Sequence, residues 1–259
     1  MNDVDATGRT GQRGPAPAAR RVIAQAGFEA RGLLSHGEQL LVSVGLPLMA
    51  LIALAITDAP SLGTGERIDL ATAGVLALAI ISTAFTGQAI LLGFERRWGV
   101  LRMLGTTPLG RDGLLLAKAL SVFAVLVVQF LVLGLVAAFL GWRPDPAGIP
   151  GAIVVTVLGV LAFVSLAALV GGTLRAEAVL ALANLLWIVL AAAGGVLIPA
   201  DRFREPWNTI VSFLPSSALG DGLRAALVNG AFPTGDILVL GVWAAVTGLL
   251  ASRLLRWSD

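Results

Sequence analysis

The sequence predicts an all-α membrane protein with six transmembrane helices, and three observations carry that prediction. Hydrophobic residues make up 57% of the 259 residues and charged residues only 13%, whereas an ordinary soluble domain has about a quarter of its residues charged. The mean hydropathy is +0.88. The apolar residues also occur in long runs without any charge. Because backbone groups cannot stay unpaired in lipid, we expect each run to cross the membrane as a helix.

Six charge-free runs define the predicted spans. A helix needs about 20 apolar residues to cross a bilayer core that is about 30 Å thick. The runs cover residues 39–57, 70–94, 119–142, 146–174, 178–200 and 237–252. The last run is short, but long arginine side chains can reach the interface from inside the membrane. Arg253 and Arg256 can therefore flank a slightly longer span.

The distribution of basic residues predicts the orientation of the chain. With six crossings both termini lie on one side, and that side carries 13 of the 18 Lys and Arg residues. Cytoplasmic loops of membrane proteins carry the excess of Lys and Arg. We therefore expect both termini in the cytoplasm and a multi-pass protein of the bacterial inner (cytoplasmic) membrane.

The N-terminal part of the chain divides into two predicted segments. Residues 1–20 are rich in Gly, Pro, Arg and Ala, which predicts a disordered cytoplasmic N-terminus. Residues 21–259 form one predicted six-helix domain that opens with an amphipathic helix over residues 21–38. This helix either lies in the membrane interface or simply continues into the first span. We expect its polar face to carry Arg21, Gln25, Glu29 and His36.

The connection between the second and third spans, residues 95–118, is the segment that we call the elbow. It begins with three charged residues and continues with a short amphipathic stretch, and Pro108 then interrupts the helix. This pattern predicts a short cytoplasmic helix that a partner protein can bind. Ordinary cytoplasmic anchoring by positive charge explains the same residues equally well.

A second irregular segment, residues 199–235, separates the fifth and sixth spans on the outer side. Its apolar stretches are too short to cross a membrane, and proline residues divide them. We expect short outer re-entrant helices there, or a plain extracellular cap.

Uncharged polar residues within the spans are the candidates for a translocation lining. The alternative is that they form hydrogen bonds between helices, which are worth about 0.6 kcal/mol on average. The candidates are Thr83, Thr86, Gln88, Gln129 and Asn184.

Motifs for catalysis, nucleotide hydrolysis and metal binding are missing from the sequence. The chain has no Cys, a single His and no glycine-rich phosphate loop followed by Lys and Ser or Thr. We therefore predict no catalytic residue, no metal site and no cofactor bound by this chain. A net charge of only +2 gives no reason to expect nucleic-acid binding. The pattern favours a conduit whose energy comes from a partner that binds the elbow.

The run FERRWGVLRMLGTTPLGRDGLLLAK, residues 94–118, resembles the connection between the second and third helices of type-2 ATP-binding-cassette (ABC-2) exporter permeases. The match extends over most of residues 21–255. The subgroup that the chain resembles is the drug and small-lipid exporters of actinobacteria. The matching residues are Glu95, Arg96, Gly99, Leu101, Thr107, Pro108, Leu109, Arg111 and Lys118.

The resemblance implies a permease subunit that moves a hydrophobic small molecule or lipid outward. It implies two separate cassette ATPase subunits, which hold ATP and Mg, and a second permease that is either the same chain or a sister chain. The elbow would contain a coupling helix that transmits force from the ATPase. The residues implied in coupling are Glu95, Arg96, Arg97, Gly99, Leu101, Arg102, Leu104, Thr107 and Pro108.

Two other functions are compatible with the sequence. One is a membrane assembly factor of the same fold that acts in cofactor or cytochrome maturation. The other is an ATP-independent carrier or a membrane enzyme. Association with a cassette ATPase favours the permease or the assembly factor over the second alternative.

Overall fold

The computed structural model of the protein describes residues 16–35, 37–57, 61–62 and 65–255, and this part of the chain contains helices and no strand. The α-helices are α1 (Ala18–Ser35), α2 (Gly37–Ile56), α3 (Arg67–Ile80), α4 (Gln88–Arg97), α5 (Val100–Gly105), α6 (Gly110–Phe139), α7 (Ile149–Gly171), α8 (Ala176–Ala193), α9 (Trp207–Ser212), α10 (Pro215–Leu227) and α11 (Thr234–Leu254). Short 3₁₀ turns precede α7 and α9.

Five helices among the described residues are long and apolar enough to cross a membrane. They correspond to the second to sixth predicted spans, and they cover Arg67–Arg97, Gly110–Phe139, Pro146–Gly171, Ala176–Ala193 and Thr234–Leu254. The first predicted span, residues 39–57, coincides with α2, whose described apolar part is the shorter helix Ser43–Ile56. The described residues are therefore confirmed as all-helical, and a membrane crossing by the first predicted span stays a prediction.

The N-terminal predictions fall partly outside the described residues. We predict disorder for residues 1–20, of which residues 1–15 are not among the described residues, and neither are His36 and Arg256. The helix α1 begins at Ala18, three residues before the predicted start of the amphipathic helix at residue 21.

The span from Arg67 to Arg97 is not a regular α-helix throughout. A π-helical turn, Ile81–Gly87, which we call the π segment, separates α3 from α4. π-Helical turns are rare and are frequently found at functional sites. The sequence does not predict this irregularity. A π-helical turn contains one additional residue per turn, but the charge-free run looks the same whether its helix is regular or not.

The helix α7 lies at the centre of the bundle and packs against α11, α10, α4 and the π segment. Small residues allow this close packing. At Gly159 a Cβ atom would lie 2.7 Å from Leu219 Cδ1, and at Gly171 it would lie 2.5 Å from the carbonyl oxygen of Ala89. A larger residue at Gly171 would force α4 away from α7, whereas one at Gly159 would require the Leu219 side chain to move.

The two ends of the bundle differ in structure. One end, the elbow side, holds the elbow together with α1, which packs along α6. The opposite end, the cap side, holds the cap, which we define as residues 194–233. Within the cap, α10 packs against α7, α3 and α11, and most of its residues are buried. The cap is thus part of the packed bundle.

Candidate functional site

The elbow is a helical hairpin bounded by two glycines with left-handed backbone. The helix α4 ends at Arg97, Gly99 has φ = 78°, and α5 follows at Val100. Gly110 has φ = 72° and opens α6. A residue with a Cβ atom destabilises this conformation by about 1–2 kcal/mol. Glycine at both positions therefore allows the chain to turn out of the bundle and back within a few residues.

The inward face of α5 is anchored in the bundle by Leu101, which is fully buried. This side chain belongs to an apolar cluster that joins α5 to four other parts of the chain. The other buried members of the cluster are Leu92, Leu114, Ala168, Ala251 and Leu255. The short α5 is therefore held by packing, although six residues are too few for a stable isolated helix.

The outward face of the elbow exposes large apolar side chains. Trp98 is 70% exposed and Met103 is 72% exposed. Among the residues predicted to couple, Arg97, Arg102, Thr107 and Pro108 are also exposed, whereas Glu95, Arg96 and Leu101 face inward and Gly99 and Leu104 are half-buried. The predicted coupling residues thus divide into an exposed surface and the inward contacts beneath it.

Beneath the elbow, three ionisable residues form a buried triad, Glu29–Lys118–Glu95. The Lys118 Nζ atom lies 3.0 Å from Glu95 Oε2 and 3.4 Å from Glu29 Oε2. Lys118 is only 1% exposed. Because the three residues belong to α1, α4 and α6, the triad ties α1 to both ends of the elbow.

The buried position of Glu29 corrects one prediction. The sequence pattern predicts Glu29 on the polar face of α1, opposite the apolar residues, but it is buried on the same face as Val22 and Ala26. The Gln25 side chain donates to Glu29 Oε1 at 2.8 Å. The Ser121 hydroxyl lies 3.4 Å from Glu29 Oε2 but makes its shorter hydrogen bond, at 2.8 Å, to the carbonyl oxygen of Lys118. The carboxylate can be buried because the lysine and the Gln25 amide compensate its charge.

Further polar contacts fasten the elbow to its neighbours. The Arg21 guanidinium of α1 donates to the carbonyl oxygen of Pro108, and the Arg96 guanidinium donates to that of Leu174, just before α8. Arg97 pairs with Glu177 in α8. Arg111 Nη1 donates to the carbonyl oxygen of Ser252 in α11 at 3.4 Å. A displacement of the elbow would therefore act on three other helices.

In the bundle interior, the structure brings four of the five predicted lining residues to one region around the π segment. The Thr83 hydroxyl donates to Gln129 Oε1 at 3.1 Å, and Gln129 Nε2 donates to the carbonyl oxygen of Ser43 at 3.2 Å. Gln88 and Thr86 lie on the next turn, and neither Gln88 Oε1 nor Thr86 Oγ1 has a hydrogen-bond partner among the described residues. The sequence analysis missed Ser82, whose hydroxyl accepts from Trp187 Nε1 at 2.7 Å.

Asn184 does not join this polar region. It lies on an exposed face of α8, and its side-chain amide donates to the carbonyl oxygen of Leu180, in its own helix, at 2.8 Å. The buried face of α8 contains Val179 and Ala183 instead. A single-residue step along a helix turns the side chain by about 100°, which separates Asn184 from Ala183.

On the cap side, Arg224 holds the cap together. Its guanidinium is buried and donates to the carbonyl oxygens of Gly195 and Val196 and to Asp221 Oδ1, each at 2.7 Å. An open cavity of about 560 Å³ lies beside it, between α9, α10 and the turn 199–202. The charge count along the chain assigns Arg224 to an outer loop and therefore does not predict its burial.

The described residues contain no group of three or more His, Cys, Asp or Glu side chains that could hold a metal ion. What the described residues do form is a rigidly anchored elbow on one side, a buried polar region in the middle and a packed cap on the other side.

Comparison with known proteins identifies the family. The model of the ABC-2 family transporter protein matches residues 61–253, which is most of the chain. The chain belongs to this family. It is therefore a multi-pass membrane protein of a transporter family, and the predicted resemblance is confirmed at that level. The actinobacterial drug and small-lipid subgroup stays a prediction.

One curated relative supports the same assignment for this ABC-2 protein. The chain is 29% identical over 98 residues to a Bacillus subtilis (strain 168) protein named "Putative transport permease YvfS". The aligned region is 38% of this chain and 40% of the relative. It thus spans well under two thirds of the relative's length.

The family match includes the elbow and the cap but not α1. Two members of the buried triad, Glu95 and Lys118, lie within the ABC-2 match, whereas Glu29 lies before it. The contact between α1 and the elbow is therefore seen in the structure of this chain and is not implied by the family match.

Proposed function

We propose that the chain is the transmembrane permease subunit of an ATP-binding-cassette exporter of the bacterial inner membrane. It moves a hydrophobic small molecule or lipid outward, and two separate cassette ATPase subunits that dock at the elbow supply the energy. ATP and Mg bind to those partners, and this chain contributes no catalytic residue. Both termini and the elbow lie in the cytoplasm, and the cap lies outside.

The observation that carries this proposal is the two-faced structure of the elbow. Its outward face offers Trp98 and Met103 to a partner, and an exposed apolar helix of this kind suits a groove in another protein. Its inward face is fixed by Leu101 and the buried triad. A partner that moves the exposed face therefore moves the helices to which the inward face is attached.

The proposed path of force runs from α5 to the ends of α1, α8 and α11. Arg21, Arg97 and Arg111 make these connections at the elbow side. In this mechanism the residues predicted to couple transmit movement and do not react. The short helices α9 and α10 of the cap would close the outer end as re-entrant or capping helices.

A second permease, either the same chain or a sister chain, completes the proposed transporter. The structure leaves large apolar residues exposed along α6, α8 and α11. Lipid or the second permease would cover these faces. Asn184 lies on such a face of α8, and a polar amide there favours a protein or cargo neighbour over lipid.

Co-expression of the tagged chain with its neighbouring genes, followed by a test for a co-purifying cassette ATPase, tests the proposal. We expect the wild-type permease to retain the ATPase, and Trp98→Ala to lower the retained amount at least about tenfold, since buried tryptophan contacts often dominate binding energy. Trp207→Ala is the matched control, because Trp207 is 62% exposed but lies on the cap side. That variant should retain the ATPase fully.

Two results would contradict the proposal. If no ATPase associates with the wild-type chain in a native extract, the carrier and enzyme alternatives must be reopened. If both tryptophan variants retain the ATPase equally, the docking surface lies elsewhere. Transport of many apolar compounds by the reconstituted complex would distinguish an exporter from an assembly factor.

A further inference from the structure

A small, partly enclosed cavity lies beside the π segment, between the elbow side and the middle of the bundle. Its volume is about 60 Å³. The polar residues Ser43, Ser82, Thr83 and Gln88 contribute to its lining, together with Gly87, Leu33 of α1 and Val125 of α6. Five parts of the chain therefore converge on this cavity, which places a few polar groups within a mostly apolar lining.

The hydroxyl protons at this cavity are already used. Ser82 Oγ donates to the carbonyl oxygen of Leu78 at 2.8 Å, and Thr83 Oγ1 donates to Gln129 Oε1 at 3.1 Å. A hydroxyl oxygen has two lone pairs, and Trp187 Nε1 uses one of those on Ser82 Oγ. Both hydroxyls can therefore still accept a hydrogen bond from an occupant of the cavity.

Gln88 adds an acceptor without any partner. Its side chain is only 2% exposed, and no described residue donates to its Oε1 atom. A buried polar atom that stays unpaired destabilises a protein by about 1–3 kcal/mol. Native proteins contain few such atoms, and a bound water or ligand usually accounts for them.

Gln129 is a buried glutamine in the same region whose amide group has hydrogen-bond partners in the protein. Its amide oxygen and nitrogen both have protein partners, Thr83 and the Ser43 carbonyl, and the residue is fully buried. The same region thus contains one glutamine whose amide oxygen has a protein partner and one, in the cavity lining, whose amide oxygen has none among the described residues. The difference indicates an occupant that donates a hydrogen bond.

We propose that this cavity binds a small hydrogen-bond-donating group, a hydroxyl or a primary ammonium, which donates to Gln88 Oε1. A water needs about 10–15 Å³ of such space, so one small head group or a few waters fit. A complete drug-sized molecule, which needs about 300–1,000 Å³, does not fit. The donor belongs either to water or to the head of an amphiphilic cargo whose tail extends into the apolar surroundings.

If the donor is the head of a cargo molecule, the inference deepens the proposed transport function and rests on it. It narrows the cargo to amphiphiles with a donating head group. The test needs only the permease chain, so a failure to find an ATPase partner and a failure of this inference are separate outcomes.

The experiment measures the thermal unfolding of the full chain in lipid nanodiscs, with Gln88→Met as the principal variant. Methionine keeps the length of the side chain and removes the acceptor. The probes are octylammonium, which has N–H donors, and octyltrimethylammonium, which has the same charge and chain but none. Gln129→Met is the control for the loss of a buried amide that has protein partners.

We expect Gln88→Met to lower the melting temperature by about 2–4 °C, the shift for about 1 kcal/mol in a chain of this size. If octylammonium raises the melting temperature of the wild type and of Gln129→Met, but not of Gln88→Met, the donor is a cargo head. Octyltrimethylammonium should have no effect. If neither probe acts and Gln88→Met is still less stable, the donor is water.

A Gln88→Met protein that is as stable as the wild type or more stable overturns the proposal, because it means that the acceptor was unpaired. An equal response to both probes overturns it as well. If Gln88→Met does not fold, Gln88→Glu provides the test, since it retains an acceptor at the same position. The octylammonium shift in that variant should be at least as large as in the wild type, and its absence contradicts the inference.

Discussion

At the scale of single residues, Lys118 connects the elbow to the rest of the molecule. It is the one lysine among 18 basic residues, and it is also one of the most completely buried side chains of the chain. A lysine ammonium is compact, whereas a guanidinium is planar and needs space for five donors. Two carboxylates from different helices can therefore share the small ammonium within the packed interior.

Replacing Lys118 by Met should destabilise the protein strongly. The change leaves Glu29 and Glu95 buried without their cation, and breaking a buried ion pair in this way costs about 3–5 kcal/mol. Adding Glu29→Gln and Glu95→Gln should restore most of the loss, because no buried charge then remains. The measurement is the free energy of unfolding in mixed detergent micelles.

Arg97→Gln is the control for the Lys118 substitution. It removes the ion pair of Arg97 with Glu177, in which both side chains are more than half exposed. Exposed pairs of this kind are worth about 0–1 kcal/mol. Equal losses in Lys118→Met and Arg97→Gln would mean that burial does not strengthen the triad.

At the scale of secondary-structure elements, the turn into α5 depends on Gly99. With φ = 78°, its backbone is left-handed, and a Cβ atom there would meet no atom within 4 Å. A substitution is therefore unfavourable because of backbone strain and not because of crowding. Gly27 in α1 is the matched position, since a Cβ atom there also meets nothing within 4 Å but the backbone is helical.

Gly99→Ala should lower the free energy of unfolding by about 1–2 kcal/mol. In contrast, Gly27→Ala should raise it by about 0.5–1 kcal/mol, because alanine favours a helix interior. If the elbow couples ATP hydrolysis to transport, Gly99→Ala should also reduce the transport per ATP hydrolysed. Two substitutions with the same sign and size would show that the left-handed turn has no energetic role.

At the scale of the whole molecule, the topology places the elbow and the cap at opposite ends of one bundle. The excess of arginine on the elbow side predicts that this end faces the cytoplasm. The chain contains no cysteine, so a single introduced cysteine reports on one position without interference. Met103 and Asn229 are exposed positions on the elbow side and the cap side, respectively.

A membrane-impermeant maleimide should label Met103→Cys in inside-out vesicles and not in intact cells. Asn229→Cys should show the reverse, because the cap lies outside in the proposed orientation. The unmodified chain should not be labelled in either preparation. Labelling of Met103→Cys in intact cells would reverse the topology and remove the elbow from the reach of a cytoplasmic ATPase.

The candidate site was predictable in its position but not in its contacts. The charged residues at 95–97 and Pro108 indicated the elbow. Four of the five polar residues that cluster near the π segment were predicted because they interrupt apolar runs. Glu29 was assigned to the wrong face of α1, although a lone buried lysine signals that acidic partners are needed. The partner could not be named, because Glu29 is 89 residues away from Lys118 in the chain.

The sequence by itself determined the class of protein, the positions of the long helices and the location of the elbow. These features follow from local composition: an apolar run without charge must form a helix in lipid, and a proline or glycine must interrupt one. The tertiary structure alone decided the triad, the π segment with its cavity and the separate position of Asn184. These depend on how helices that are distant in sequence rotate and approach one another, and the pattern of residues along one helix does not encode that information.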